Sequence, residues 1–401
     1  MAGSEAPQGD ARPHILLIGG DGGLSGVPTY LAQLMRAMGA RARFTVLSDR
    51  NRGGYDFVTA LDGRHVELPG LQTSLSLLRA IGALRGMAAE IDRAAPDLVW
   101  AHARMAVLLL RVLAVWRRLR GQPMPPLAIT FHGLPFGPGH RPLTGRLARM
   151  IEAGFLWAMP RHHLIFLSDQ AAAGFPRAGG RGPLARHICH VLENCSDLGP
   201  LPWQAHDGPP LVVMTGRAGY QKDHLTAARL LAHLPGDWQL AICGAGTDRP
   251  DFQRRMRAAA GPGAAARLRF LGPMRDIRPL LQAADLFLIP SRYEGMPIAA
   301  LEAFEAGLPL ASTRIPGMAE ILATHPMVVD FTRDETPGAV AARLVALVGA
   351  ARAEGPAAPA RIRTAWAGRF SFAHWRGALA GLVDRLLDDQ NAAGTPKDTG
   401  P

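Results

Sequence analysis

What limits this chain most is the regular exchange of short apolar runs and longer helical patterns from end to end. In the first half the strand-like runs are His14–Gly19, Arg43–Leu47, His65–Leu68, Asp97–Ala101, Leu127–Phe131, Leu164–Ser168 and His187–Leu192. In the second half they are Leu211–Thr215, Gln239–Cys243, Leu268–Leu271, Leu286–Pro290, Pro309–Ser312 and Met327–Asp330. Short strands with helices between them predict an α/β protein with parallel, doubly wound sheets, and exclude a sandwich or a bundle. A length of 401 residues accommodates two such units. Asn194–Pro210, rich in Pro, Asp and Gly, divides the two series and reads as a linker. The expected units are a first domain over 13–194, a linker over 195–210, a second domain over 211–370 and a helix over 371–389. That helix carries Trp375, Leu379, Leu382, Val383, Leu386 and Leu387 at helical spacing. Residues 1–12 and 390–401 are expected to be disordered.

The net charge of +11 is uneven, with 22 arginines against 14 acidic residues in the first 200 positions. A basic half can suit nucleic acid, an anionic membrane surface or an anionic substrate. An arginine-heavy solvated surface explains it as well, so charge alone assigns no nucleic-acid partner. The sharper fact is that only two lysines, Lys222 and Lys397, stand among 44 basic residues. Lysine offers a compact charge with three donors where arginine offers a planar fork, which singles out Lys222 for chemistry. Cys189, Cys195 and Cys243 have neither metal nor disulfide spacing. No apolar run is long enough to span a bilayer and the opening residues lack a signal-peptide pattern, so a cytoplasmic setting is the expectation.

The most informative segment is Ser291–Pro309. A buried strand over Asp285–Pro290 runs into a Gly-containing loop, Pro297 suits a first helical position, and Gly307 with Pro309 ends the helix. The amides near Gly295, Met296 and Ile298 then lie at a helix start, a natural anion site. Glu294 precedes the helix and Glu302 lies more than a turn inside it, where a carboxylate can bind ribose hydroxyls. The segment Thr215–His224 follows the first strand of the second domain, and its Arg217 and Lys222 can converge on one anion. Paired cations stabilise a departing diphosphate. At the amino end, Gly19–Gly26 follows the first strand; it is neither G-x-G-x-x-G nor a Walker loop, which weighs against NAD and ATP. His132 ends the strand Leu127–Phe131, where open α/β sheets place ligands.

Glu294 to Glu302 resembles the E-x7-E signature of family 4 retaining glycosyltransferases, and the chain follows their GT-B plan. That plan has two Rossmann-like domains facing a central cleft, with a C-terminal helix crossing back to the first. By this likeness Glu294 sits by the transferred sugar and Glu302 binds the nucleotide ribose. The amides of Gly295, Met296 and Ile298, around Pro297, line the sugar and phosphate pocket. Gly216–Lys222 resembles the family's G-R-x4-K motif, with Arg217 and Lys222 clamping the diphosphate. Gly22-Gly23 matches a Gly-Gly bordering donor phosphate and acceptor. His132 matches a histidine that contacts the sugar or helps activate the acceptor. Phe270–Asp276 resembles the segment whose backbone reads the base, which puts Met274 there. Val191–Asp197 resembles the entry to the linker but departs at Cys195 and Ser196.

The likeness covers residues 14 to 388 and implies transfer of a hexosyl-type sugar from a nucleotide-diphosphate donor to an acceptor hydroxyl. Cell-surface polysaccharide or glycolipid synthesis is the expected setting. Retention by front-face attack, with the leaving phosphate taking the acceptor proton, is implied, with no bound cofactor and no metal. Two basic amphipathic stretches, Arg104–Arg120 and Arg141–His163, can lie on anionic lipid or be core helices with snorkelling arginines. The first case favours a lipid-linked acceptor and a peripheral place on the inner membrane face. Two alternatives share the fold, a nucleotide-sugar 2-epimerase and a catalytically inactive GT-B binding module.

Overall fold

The computed structural model describes residues 11–39, 41–72, 76–175, 186–205 and 208–394. All thirteen expected strands form, most within one residue of the expected ends. The first seven are β1 (His14–Ile18), β2 (Arg43–Ser48), β3 (Arg64–Glu67), β4 (Leu98–Ala101), β5 (Leu127–Phe131), β6 (His163–Phe166) and β7 (Ile188–Val191). The rest are β8 (Leu211–Thr215), β9 (Gln239–Cys243), β10 (Leu268–Gly272), β11 (Leu286–Ile289), β12 (Leu310–Thr313) and β13 (Val328–Phe331). The first sheet runs β3-β2-β1-β4-β5-β6-β7 and the second β10-β9-β8-β11-β12-β13. Every pairing is parallel. The central strands bury both faces because helices cover each side, so their sequences read as unbroken apolar runs.

In each sheet the order reverses once, between β1 and β4 and between β8 and β11. A chain that leaves neighbouring strands in opposite directions opens a crevice at their carboxyl ends. The glycine loop leaves β1, the Arg217–Lys222 loop leaves β8, and the Glu294 loop leaves β11. Topology alone therefore brings the last two loops side by side.

The helix Phe372–Gly394 extends past the expected end at residue 389, so 390–394 are helical rather than disordered. Its Trp375, Leu379, Leu382, Val383 and Leu386 are buried with Tyr30, Leu31, Leu34 and Met35 of the helix Gly26–Met38. It thus completes the core of the first domain. Residues 1–10 and 395–401 lie outside the described residues. Between β2 and β3 lies one helical turn, Phe57–Ala60.

The departures at Cys195 and Ser196 have a packing reason. Cys195 is buried in the first-domain core, and Ser196 Oγ donates to the Leu301 carbonyl at 3.0 Å while accepting from Trp366 Nε1 at 2.9 Å. Asn194 Nδ2 donates to the Met296 carbonyl at 2.6 Å. Glu305 accepts from the amides of Leu198 and Gly199, at 3.0 and 3.1 Å, which ties the linker to the second domain.

The two basic stretches form the helices Arg104–Leu119 and Pro142–Ala158. Their arginines divide. Arg111 is buried, paired with Glu152 and lying over the rings of Phe131 and Phe155. Arg117 is buried against Asp92 at 2.8 Å. Both are structural and unavailable to lipid. The outward faces nevertheless expose Leu108, Val112, Trp116 and Leu119 on one helix and Leu143, Leu147, Met150, Ile151 and Trp157 on the other. No described helix is long and apolar enough to cross a membrane.

Candidate functional site

Lys222 lies across the loop that leaves β8, and its course is set by Gly216. A Cβ on Gly216 would fall 2.7 Å from Lys222 Cε and 2.9 Å from Cδ, and the backbone there has φ +146°. Only glycine leaves that path open. Lys222 Nζ reaches Glu294 Oε1 at 2.8 Å, Ser291 Oγ donates to the same oxygen at 2.6 Å, and Gln221 Nε2 donates to Oε2 at 2.9 Å. The Glu294 side chain is only 6% exposed and Lys222 17%. At that burial, three donors to one carboxylate hold both charged groups in a single geometry. Lys222 keeps further donors for a second anion. Arg217 is exposed and has no partner among the described residues.

Next along the chain, Gly295 is pressed against the first domain. A Cβ there would lie 2.0 Å from the His132 carbonyl oxygen, and a Cβ on Gly133 would lie 3.7 Å from the Gly295 amide nitrogen. The helix Ile298–Ala306 has Pro297 as its N-cap, so it starts one residue later than expected. Met296 is buried in the second-domain core and its carbonyl is taken by Asn194, so its side chain faces the linker. The amides of Gly295, Met296 and Ile298 donate no hydrogen bond among the described residues. A helix start with spare amides is a site for an anion.

Glu302, the fifth residue of that helix, has no hydrogen-bond partner among the described residues. Burial, and secondarily the neighbouring Glu305, raises its pKa to about 7. Cys243, at the end of β9, feels the Glu302 charge and takes the Met274 amide, while burial raises its pKa. Met274 itself is half-buried against the core, so only its other backbone groups are left for a base. Glu302, Cys243 and Met274 thus share one corner of the crevice.

On the facing side, His132 follows β5. Burial lowers its pKa to about 4, so the ring is neutral at physiological pH. Its Nε2 lies 3.2 Å from Nδ1 of His102, which follows β4 and is buried. Tyr30 packs edge-on against His132, with centroids 4.7 Å apart, and lies against His102 as well. In such a pair one ring donates and the other accepts, so the tautomer of His132 is tied to that of His102. The two glycines expected at the phosphate separate in role. A Cβ on Gly22 would fall 1.8 Å from the Arg50 carbonyl oxygen, so Gly22 is there for packing. A Cβ on Gly23 would meet chiefly Asp21 Oδ1 at 3.2 Å, and this glycine borders open space.

Other approaches join the domains at the same edge. A Cβ on Gly139 would lie 2.0 Å from the Arg292 carbonyl oxygen, and His140 stacks on Tyr293 with centroids 3.7 Å apart. All join loops that leave the carboxyl ends of strands, so those ends face each other across the cleft. Gln221, Ser291 and His102 were not among the residues expected from sequence, and neither was Asp223. Asp223 accepts from Arg292 at 2.8 Å and from Arg333 at 2.7 Å. Its place beside Lys222 is the one local signal. Among the described residues no three of His, Cys, Asp or Glu lie close enough to hold a metal ion.

Comparison with known proteins bears on the family and the fold. Residues 25–189 match the model of the glycosyl transferase 4-like domain, and residues 209–349 match that of glycosyl transferases group 1. The lipopolysaccharide core biosynthesis glycosyltransferase LpsE of Rhizobium meliloti is 34% identical over 108 residues, 27% of this chain and 31% of that protein. Glycogen synthase of Mycobacterium tuberculosis is 27% identical over 288 residues, 67% of this chain and 64% of that one. The chain thus spans less than two thirds of either relative. Among solved structures, HepE of Anabaena in complex with UDP-glucose superposes with a TM-score of 0.75 at 16% identity, covering 93% of this chain and all of that one. At that identity the likeness concerns the fold.

Proposed function

The chain belongs to the group 1, family 4 glycosyl transferases of GT-B fold, and from that premise we propose that it is a retaining transferase. It moves a hexosyl-type sugar from a nucleotide-diphosphate donor to an acceptor hydroxyl in polysaccharide or glycolipid synthesis. The observation that carries this reading is the buried Lys222–Glu294 pair beside the free amides of Gly295, Met296 and Ile298. An anion held by those amides meets Lys222 and Arg217 on its other side, which is the arrangement a departing diphosphate needs. Glu302, without a protein partner, is left for the ribose, and Met274 borders the base. Glu294, locked by Ser291 and Gln221, is aimed at the sugar rather than free to swing. Across the junction, neutral His132 and the open face at Gly23 receive the acceptor. Front-face attack, with the departing phosphate accepting the hydroxyl proton, retains configuration without a protein nucleophile.

UDP-glucose is the first donor to try, because HepE was solved with it. Incubation with UDP-, GDP- and ADP-sugars, following hydrolysis and the configuration of the released sugar, tests the reading. Slow release of nucleoside diphosphate from one donor, with retained configuration, is expected. Formation of a 2-epimer would assign the epimerase reading instead, and indifference to every donor and nucleoside diphosphate would leave a binding module.

The exposed apolar faces of Arg104–Leu119 and Pro142–Ala158, with Arg146 and Arg149 beside them, support seating of the first domain on an anionic membrane. Flotation with phosphatidylglycerol vesicles at low salt should carry the chain, and Leu147→Glu with Met150→Glu should release it. Failure of the parent chain to float removes this element alone.

A further inference from the structure

Between Asp97 and Glu152 the sequence contains eight arginines and no aspartate or glutamate. This stretch builds β4 and β5 and the strand-end loops that hold His102, Arg104, His132 and Arg141. With Arg50, which follows β2, it places three exposed arginines on the first-domain edge of the cleft. None of the three has a carboxylate partner among the described residues. Arg141 lies over the Tyr220 ring at 5.5 Å, Arg104 bears electrostatically on His140, and the Arg50 carbonyl packs on Gly22. From the second domain, Arg275 crosses toward the same edge, where its Nη2 would lie 3.3 Å from a Cβ on Gly53.

The carboxylates in these first-domain loops are already engaged. Asp21 pairs with Arg52 at 2.6 Å and accepts from the Gly23 amide. Asp49 accepts from the amides of Arg50, Gly70 and Gln72, and Asp56 from Asn51 Nδ2. Elsewhere in the domain some exposed arginines meet a carboxylate, as Arg36 does with Asp197, Arg41 with Asp384 and Arg64 with Glu90, while others such as Arg79, Arg85 and Arg120 do not among the described residues. The cleft edge therefore carries positive charge that the chain does not neutralise. Cations gathered without counter-charge at a partly enclosed edge are stabilised by an anion from outside.

We infer that the acceptor carries a phosphate or carboxylate close to the hydroxyl that is glycosylated, and that Arg50, Arg104 and Arg141 hold it. This inference rests on the transferase reading and names the acceptor class for that site. Arg141, over Tyr220, borders the Arg217–Lys222 loop as well, so filling the diphosphate site first separates the donor's charge from the acceptor's.

The test uses the full chain saturated with whichever of UDP, GDP or ADP most raises its melting temperature, so that the diphosphate site is filled. Glucose, glucose 6-phosphate and glucuronate are then titrated by calorimetry or saturation-transfer NMR. The charged sugars are expected to bind at least about tenfold more tightly than glucose, the effect of one charge-assisted hydrogen bond. That preference should shrink in Arg50→Gln and Arg104→Gln, vanish in the triple variant that adds Arg141→Gln, and weaken with added salt. The nucleotide-induced melting shift reports that each variant still folds. Equal or undetectable binding of charged and neutral sugars overturns the inference, as does a preference that survives the triple variant. If no nucleoside diphosphate shifts the melting temperature, the transferase reading fails separately, and the same titration on the unliganded chain still decides the charge preference.

Discussion

The two walls of the cleft follow opposite electrostatic plans. On the second-domain wall Lys222 is matched with Glu294, and Asp223 with both Arg292 and Arg333, with Arg217 left open beside them. On the first-domain wall Arg50, Arg104 and Arg141 stand without ion-pair partners among the described residues, and His102 and His132 are kept neutral by burial. A matched wall is rigid before any ligand arrives, which suits stabilising charge that appears only during reaction. An unmatched wall is completed by what it binds. One half is thus prepared for a transition state and the other for a ground-state partner.

The sharpest way to break this contrast is to unmatch the matched wall. Lys222→Met leaves Glu294 buried with only Ser291 and Gln221, and kcat/KM should fall by about 10²- to 10³-fold. Rates near those of the parent chain would mean that the pair only supports the fold. Next in size is His132→Ala, expected to lower kcat by about 10²-fold with little effect on nucleotide affinity. His102→Phe should move the same quantity in the same direction but less, because it acts by orienting His132. Equal melting temperatures for the two variants would separate orientation from loss of folding.

A third prediction concerns pH. The Glu302 carboxyl is raised from its ordinary 4.5 to about 7 chiefly by burial. The folded chain therefore keeps a proton that the unfolded chain has released between those values, and stability falls as pH rises through this window. Glu302→Gln should melt above the parent chain at pH 8 and with it at pH 4. The ribose is held best by the ionised carboxylate. Affinity for a nucleotide sugar, whose diphosphate does not titrate in this range, should climb up to about pH 7 and then level. The variant should bind about tenfold more weakly and lose that climb. A parent chain with no pH dependence would place Glu302 away from the ribose. The smallest effect is expected at the junction between the walls, where Ser196→Ala costs about 1 kcal/mol, seen as a drop of a few degrees in melting temperature.

Much of the fold was legible in the residues, and the reason is local. The strands are unbroken apolar runs because both faces of each sheet are covered, and Gly307 ends its helix through a left-handed φ of +82°. The helix Ile298–Ala306 and its two glutamates could likewise be read, since cap, carboxylates and stop lie within one segment. The Lys222–Glu294 contact could not. Those residues are 72 positions apart and meet only because β8 and β11 are neighbours, which depends on the crossover rather than on either segment. His102 gave no sign, being one histidine among 14 whose role arises from the adjacency of β4 and β5. The buried arginines of the helix Arg104–Leu119 misled for the opposite reason. Arg111 and Arg117 look like a basic face until the distant partners Glu152 and Asp92 are known.

The helix Phe372–Gly394 has a further consequence. Because it fills the core beside Tyr30 and Leu34, the second domain is in effect an insertion into the first, entered near Ser196 and left near Ser371. Those two serines form a parallel β-bridge, so both passages of the chain run through one spot. The two covalent links between the walls are thus one place in space rather than two. A fragment ending at residue 194 would lack the wedge that closes its own interior, and would need residues 372–394 grafted back before it could stand alone.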